Sequence, residues 1–193
     1  MANLPGLRRE YEGWIVGFES RFTDWLHLLA SYTMSESKGN IEYTQNAGTA
    51  FDLYPDHFVN TFGYLSDHRE HRVKLNGYAM LPMGFVVGVD AFWSSPFRYS
   101  VVRPSDVYGD VFVEPRGSRE GDDAYQLDLE VKKGFGLGDT RLELIGTVFN
   151  VFDDEQTAGV CELEGGCAGA IPLGGTTTYT TPRRYEVGVR FEF

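Results

Sequence analysis

Arg184-Tyr185-Glu186-Val187-Gly188-Val189-Arg190-Phe191-Glu192-Phe193 alternates without a break. Apolar side chains occupy 185, 187, 189, 191 and 193, and charged residues or glycine occupy the positions between them. A side-chain period of two is the pattern of a β-strand with one apolar and one polar face. Ten residues tilted by about 45° also match the hydrocarbon thickness of a bilayer. The stretch stops on Phe193, as the last strand of a transmembrane barrel does when its end sits in an aromatic girdle. The expectation is an all-β fold: an antiparallel, up-and-down transmembrane β-barrel segment.

Working outward, the composition agrees. The 193 residues include 11 Tyr, 14 Phe and 23 Gly but only 17 Lys and Arg, a bias toward strands and turns. No apolar run is long enough for a transmembrane helix. A mean hydropathy of −0.27 does not oppose a barrel, because alternating strands average out. A net charge of −11 argues against a nucleic-acid partner, which needs a basic face. Met1 to Pro5 has neither a basic start nor an apolar run. An exported barrel needs a signal peptide, so the expectation is the C-terminal piece of a longer protein.

The same alternation recurs upstream. Trp14, Val16 and Phe18 oppose Ile15, Gly17 and Glu19 between Tyr11 and Phe22, and after Thr23-Asp24 a second strand alternates from Leu26 to Met34. Strands three and four run over His71–Met80 and Phe85–Ser94, joined by Leu81-Pro82-Met83-Gly84, where Pro presets φ and Gly permits a positive one. Strand five has Tyr125, Leu127, Leu129 and Val131 against Gln126, Asp128, Glu130 and Lys132. Gly136-Leu137-Gly138-Asp139 turns it into strand six, whose alternation degrades at Phe149-Asn150-Val151-Phe152, as at a bulge. The stretches 36–69, 96–122 and 153–182 lack a period. Connections thus alternate short and long, the pattern of tight periplasmic turns and large extracellular loops. Aromatics at both strand ends (Phe22, Trp25, Phe135 and Phe193; Tyr11, Trp93 and Tyr185) suit two girdles. This gives a curved meander of seven strands, or eight if one hides in 97–121 or 36–69, with Val107–Glu114 the better candidate.

Several stretches resemble recurring patterns of the C-terminal part of TonB-dependent outer-membrane receptors. These are Asp67-His68-Arg69-Glu70-His71-Arg72-Val73-Lys74-Leu75-Asn76-Gly77, with Glu70 where the family has Pro; Pro115-Arg116-Gly117-Ser118 followed by Tyr125-Gln126-Leu127-Asp128-Leu129; Val148-Phe149-Asn150-Val151-Phe152-Asp153; and Pro182-Arg183-Arg184-Tyr185 to Phe193. They occur in the family's order along nearly the whole chain. The resemblance implies one domain, residues 1–193, supplying about the last seven strands of a 22-stranded barrel. Its parent would take up a scarce nutrient across the outer membrane of a Gram-negative cell. It implies outer-membrane lipid as a partner and a barrel-assembly machinery reading Tyr185, Val187, Val189, Phe191 and Phe193. The TonB complex would act only through the plug and N-terminal parts, which the chain lacks.

Cys161 and Cys167, the two cysteines, are expected to form a disulfide in an oxidising compartment, having no His or further Cys nearby to complete a metal site. His68 and His71 would point to opposite faces of an extended strand, against a shared metal. Loop aromatics Tyr43, Tyr54, Phe58 and Tyr64 are candidates to contact an unknown small-molecule ligand, or to pack the loop on itself. Charges such as Arg72, Lys74, Asp128, Glu130, Lys132, Glu143 and Arg190 would line a wet lumen. No Gly-x-Ser-x-Gly, P-loop or His-Glu-x-x-His motif occurs, so neither an enzyme nor a cofactor is expected. The alternatives are a small self-contained outer-membrane barrel with an adhesive or structural role, and a soluble β-barrel binding module.

Overall fold

The computed structural model describes residues 6–42, 59–105 and 109–193. Its long strands are β1 (Arg9–Thr23), β2 (Leu26–Gly39), β4 (His71–Leu81), β5 (Phe85–Ser94), β10 (Ala124–Leu137), β11 (Thr140–Phe149) and β14 (Arg184–Glu192). They pair antiparallel as a meander in the order β1-β2-β4-β5-β10-β11-β14, and the two-residue β3 (Gly63–Tyr64) adds to β2 as an eighth member. The sheet is open: β1 and β14 are its edges. Three two-stranded ribbons stand apart, formed by β6 (Arg98–Tyr99) with β9 (Arg119–Glu120), β7 (Val102–Ser105) with β8 (Gly109–Phe112), and β12 (Thr157–Val160) with β13 (Thr176–Tyr179).

Register decides the two faces. Ala30 sits opposite both Phe18 and Leu75, Leu75 opposite Ala91, and Ala91 opposite Leu127. A second row runs Leu26, Ala79, Val87, Val131, Gly146, Val187. On the other parity, His27, Tyr78, Gly88, Glu130, Thr147 and Glu186 form a row in the same way. A one-residue slip at any pairing would exchange the faces. The one shift lies between Arg21 and Thr23 at the turn end of the β1–β2 ladder; the other long-strand ladders keep their parity, so one face carries a predominantly apolar band and the other most of the charged side chains. The polar face is concave: His27, Asn76, Tyr78, Asp90, Asp128, Glu130, Lys132 and Thr147, from five adjacent strands, line one groove of 690 Å³.

Aromatics border the band. Tyr32, Trp93, Tyr125 and Tyr185 flank it toward the loop end, and Phe85, Phe135 and Phe191 toward the turn end. Tyr11 departs from the expected girdle, lying beside Gly13 on the concave parity with its hydroxyl 3.1 Å from where a Gly13 Cβ would be. The side chain of Phe22 lies outside the description.

The short connections are where the residue types place them. Met83 and Gly84 both have positive φ, 65° and 76°, in the turn after Leu81, and Gly138 has φ 66° in the turn before β11. Three boundaries differ from the sequence reading. β2 continues five residues past Met34, and β10 reaches Leu137. The irregularity after Val148 is not a bulge but the end of β11: Asn150 takes φ 52°, and Asp153 φ 56° with its amide donating to the Asn150 carbonyl. Asparagine and aspartate tolerate that left-handed conformation. The Val107–Glu114 segment adds no membrane-length strand, since β8 pairs with β7 away from the main sheet, while 106–108 lie outside the described residues.

Directly opposed residues of such a ladder lie close enough for a disulfide. Ala30→Cys with Leu75→Cys should therefore cross-link on oxidation, whereas Ala30→Cys with Asn76→Cys should not. Mass spectrometry of the digest checks the register.

Candidate functional site

The buried apolar side chains among the described residues are Leu65, Val101, Val102, Phe112 and Cys161. All lie outside the seven long strands, in the connections at one end of the sheet. The sheet turns its apolar side chains outward, so the water-excluded core is built in the loops instead. These interlock through the backbone. Tyr64 N donates to Arg116 O, Arg116 N to Asn60 O, Val113 N to Val101 O, Val102 N to Glu162 O and Glu164 N to Val102 O. Gly63 and Gly117 permit the approach: a Cβ on Gly63 would lie 2.0 Å from Arg116 O, and one on Gly117, at φ 63°, 2.3 Å from Tyr64 O.

Polar groups lock the same unit. Arg116 is 3% exposed and donates to Glu42 at 2.7 Å, an acid from the first connection. Its guanidinium also lies 5.1 Å from the Phe112 ring centroid. Glu162 Oε1 accepts the Ser100 amide at 2.8 Å, and burial pushes its carboxyl above the usual range. Cys161 and Cys167 are joined, their Cα atoms 5.8 Å apart, closing the short turn that runs beside β7 through the Val102–Leu163 bridge.

Of the four loop aromatics, Tyr43, Tyr54 and Phe58 lie outside the described residues. Tyr64 is half-buried and its ring is engaged. His68 lies 4.4 Å away centroid to centroid, and Lys38 and Arg98 sit over it at 4.6 and 4.7 Å. His68, 3% exposed, accepts the Ser37 amide on Nδ1 at 3.2 Å, which assigns the neutral ring as the Nε2–H tautomer. Burial, then the Arg98 charge, holds its pKa below 6.5. His71 is placed elsewhere, stacked on Tyr32 with Nδ1 2.8 Å from its hydroxyl. Among the described residues no cluster could hold a metal ion.

The concave face carries the charges expected of a wet lumen. Lys132 pairs with Glu130 at 2.8 Å and Arg190 with Glu143 at 3.3 Å. Asp128 accepts the Asn150 amide at 2.9 Å and both contacts from Gln126 Nε2, tying the top of β10 to the end of β11. Nearer the loops, Asp67, Arg69, Arg72, Lys74 and Phe92 line a second hollow of 340 Å³. Arg72 and Lys74 were expected here; Arg69 was not, because it precedes the strand and only its loop's return brings it over the face. Tyr185, Val187, Val189 and Phe191 project from the convex side of β14, 54–83% exposed.

No family model and no curated protein matches the chain. Solved structures do. The outer membrane transporter YddB from Escherichia coli aligns at TM-score 0.60 and 13% identity over 94% of this chain and 25% of its own. The pyoverdine outer membrane receptor FpvA from Pseudomonas aeruginosa aligns at 0.58 and 14% identity over 97% and 22%. The ferric-catecholate import receptor Fiu from E. coli aligns at 0.55 and 14% identity over 95% and 21%. The chain spans about a fifth to a quarter of these proteins.

Two outcomes are expected for the loop unit. Gly63→Ala should speed amide exchange at Tyr64, Val102 and Glu164 while leaving β5 and β10 unchanged, as hydrogen exchange can show. Because the folded pKa of His68 lies below its unfolded value, the unfolded loops bind the extra proton. The histidine's contribution is thus complete above about pH 6.5 and lost as pH falls through the folded pKa. Glu162, raised by burial, works in the opposite sense, its penalty easing as pH falls toward the acid range. Loop protection measured against pH should drop through the histidine range, and His68→Asn should abolish that drop.

With seven paired strands, turns at one end and packed loops at the other, the chain has the fold of an open sector of an outer-membrane receptor barrel.

Proposed function

We propose that residues 1–193 form the C-terminal wall sector of a receptor that takes up a scarce nutrient, such as a siderophore, cobalamin or an oligosaccharide, across the outer membrane of a Gram-negative bacterium. The observation that carries this reading is the predominantly apolar band on the convex face, with most of the charged side chains on the concave one. A soluble binding barrel needs the reverse, an apolar interior and a polar exterior. In this reading the band meets lipid, the concave face belongs to the lumen, and the loop unit forms part of the rim where ligand first arrives. Tyr185, Val187, Val189, Phe191 and Phe193 then serve as the edge recognised by the barrel-assembly machinery. The plug and the TonB-contacting segment belong to parts of the parent outside these residues. The neighbours' own activities, import of ferric catecholates and binding of pyoverdine, favour a small-molecule cargo. A self-contained small barrel fits less well, because β1 and β14 do not pair.

Arginine substitution separates lipid from water. Val187 is 83% exposed and Val131 44%; at water-exposed sites such changes stay within about 0.5 kcal/mol. Facing the bilayer midplane each should cost about 2–4 kcal/mol. Denaturant titrations of Val131→Arg and Val187→Arg folded into phospholipid vesicles give the answer. A cost near zero for both would remove the membrane assignment.

A further inference from the structure

The hollow at the loop end of the concave face gathers three cations from two places, Arg69 from the first long connection and Arg72 and Lys74 from β4. In a chain of net charge −11 acids are plentiful, yet among the described residues none makes an ion pair with these three. Asp67, which lines the same hollow, already accepts Arg9 Nη2 at 2.6 Å and the Ser37 hydroxyl at 3.0 Å. Asp123, close by, accepts Trp93 Nε1 at 2.9 Å. The guanidinium groups are instead held by neutral carbonyls. Arg69 Nη1 donates to Ser66 O at 3.2 Å and His68 O at 2.7 Å, and Arg72 Nη2 to Asp67 O at 2.9 Å.

Arg69 also lies over the Phe97 ring, 5.4 Å from its centroid, so the half-buried fork is fixed from two sides. Its pKa is lowered by burial first and by the Arg72 charge second, against a smaller opposing effect of the Asp67 carboxylate. Among the described residues Lys74 has no hydrogen bond and no ion pair, and none of the three cations has a carboxylate within 4.0 Å. On the same face Lys132 and Arg190 each have one; Arg21, Arg141 and Arg184 have none among the described residues, but they stand on three separate strands.

We propose that this hollow binds a small multivalent oxyanion, a di- or tricarboxylate or a polyphosphate group. Lys74 and Arg72 supply the exposed charges and Arg69 the pre-positioned fork. Planar guanidinium groups match the spacing of carboxylate and phosphate oxygens, and immobilised donors lose little freedom on binding. Arg72 and Lys74 share their parity with Asn76 and Tyr78 on the concave side, away from the apolar band. A soluble anion can therefore reach the site, and lipid phosphates on the convex side cannot. The inference rests on the receptor reading only in making that anion part of the cargo.

The test is calorimetric titration of the folded 193-residue chain with citrate and with pyrophosphate, in whichever medium, detergent micelles or water, gives a β-sheet circular dichroism spectrum. Glycerol is the uncharged control. Saturable binding is expected at about 0.15 M salt, weakening as salt rises. Lys74→Gln and Arg72→Gln should each reduce affinity by about tenfold, Lys74→Arg should preserve it, and Lys132→Gln should leave it unchanged. Equal affinity in Lys74→Gln and the parent chain would overturn the site. So would binding that never saturates, or an equal loss in Lys132→Gln, which would report the general field of the lumen. The vesicle titrations of Val131→Arg and Val187→Arg fail independently of this one: a Lys74-dependent anion site without a bilayer cost would end the receptor reading and keep the site.

Discussion

Every other feature of this chain depends on the parity of its strand pairing. Across the six ladders between long strands one parity is predominantly apolar and the other holds most of the charges, with apolar residues such as Phe92 opposite Lys74 and Gln126 interspersed on the second. With a side-chain period of two, a single slip would put charges into the band and apolar groups onto the concave face. In a bilayer the constraint tightens, because backbone groups in hydrocarbon have no water to turn to and must be paired within the sheet. One ladder therefore supplies both the hydrogen bonding and the sorting of side chains.

The apolar core sits where a soluble protein would not place it. Leu65, Val101, Val102, Phe112 and Cys161 are buried in the connections, while Trp14, Val16, Val187 and Val189 on the strands are more than half exposed. Loops this long normally pay an entropic cost for order. Here it is offset by a small apolar cluster, the Arg116–Glu42 pair and the Cys161–Cys167 link. A loop unit built in this way can hold polar groups at defined positions at the end of the concave face, which a set of independent loops could not.

Most charges of the central strands lie on the concave face, Lys133 being an exception set over the Phe85 and Phe135 rings. Lys132 with Glu130 and Arg190 with Glu143 balance locally along the concave face, at separations where pairs of this exposure contribute little to stability. Toward the loops Arg69, Arg72 and Lys74 lack such a pair among the described residues, and Asp67, which lines the same hollow, is engaged by Arg9 and Ser37. What sets this end apart is that three such cations, Arg69, Arg72 and Lys74, meet over one hollow.

The sequence by itself determined the seven strands, their inward and outward faces and the positions of the short turns. Those properties are local: alternation is read within ten residues, and Pro82 or Gly138 sets its own backbone conformation. The disulfide, too, follows from two cysteines a short turn apart. Only the tertiary structure decided how far β2 and β10 extend beyond the alternating core, that β11 ends at Phe149 rather than bulging, and that the described parts of the three long connections form one packed unit. It also decided that Tyr64 is clasped between His68, Lys38 and Arg98, and that Arg69 joins Arg72 and Lys74 over one hollow. These outcomes turn on backbone approaches between distant residues, Gly63 to Arg116 and Val102 to Glu162. No periodicity in the chain encodes which loop will meet which.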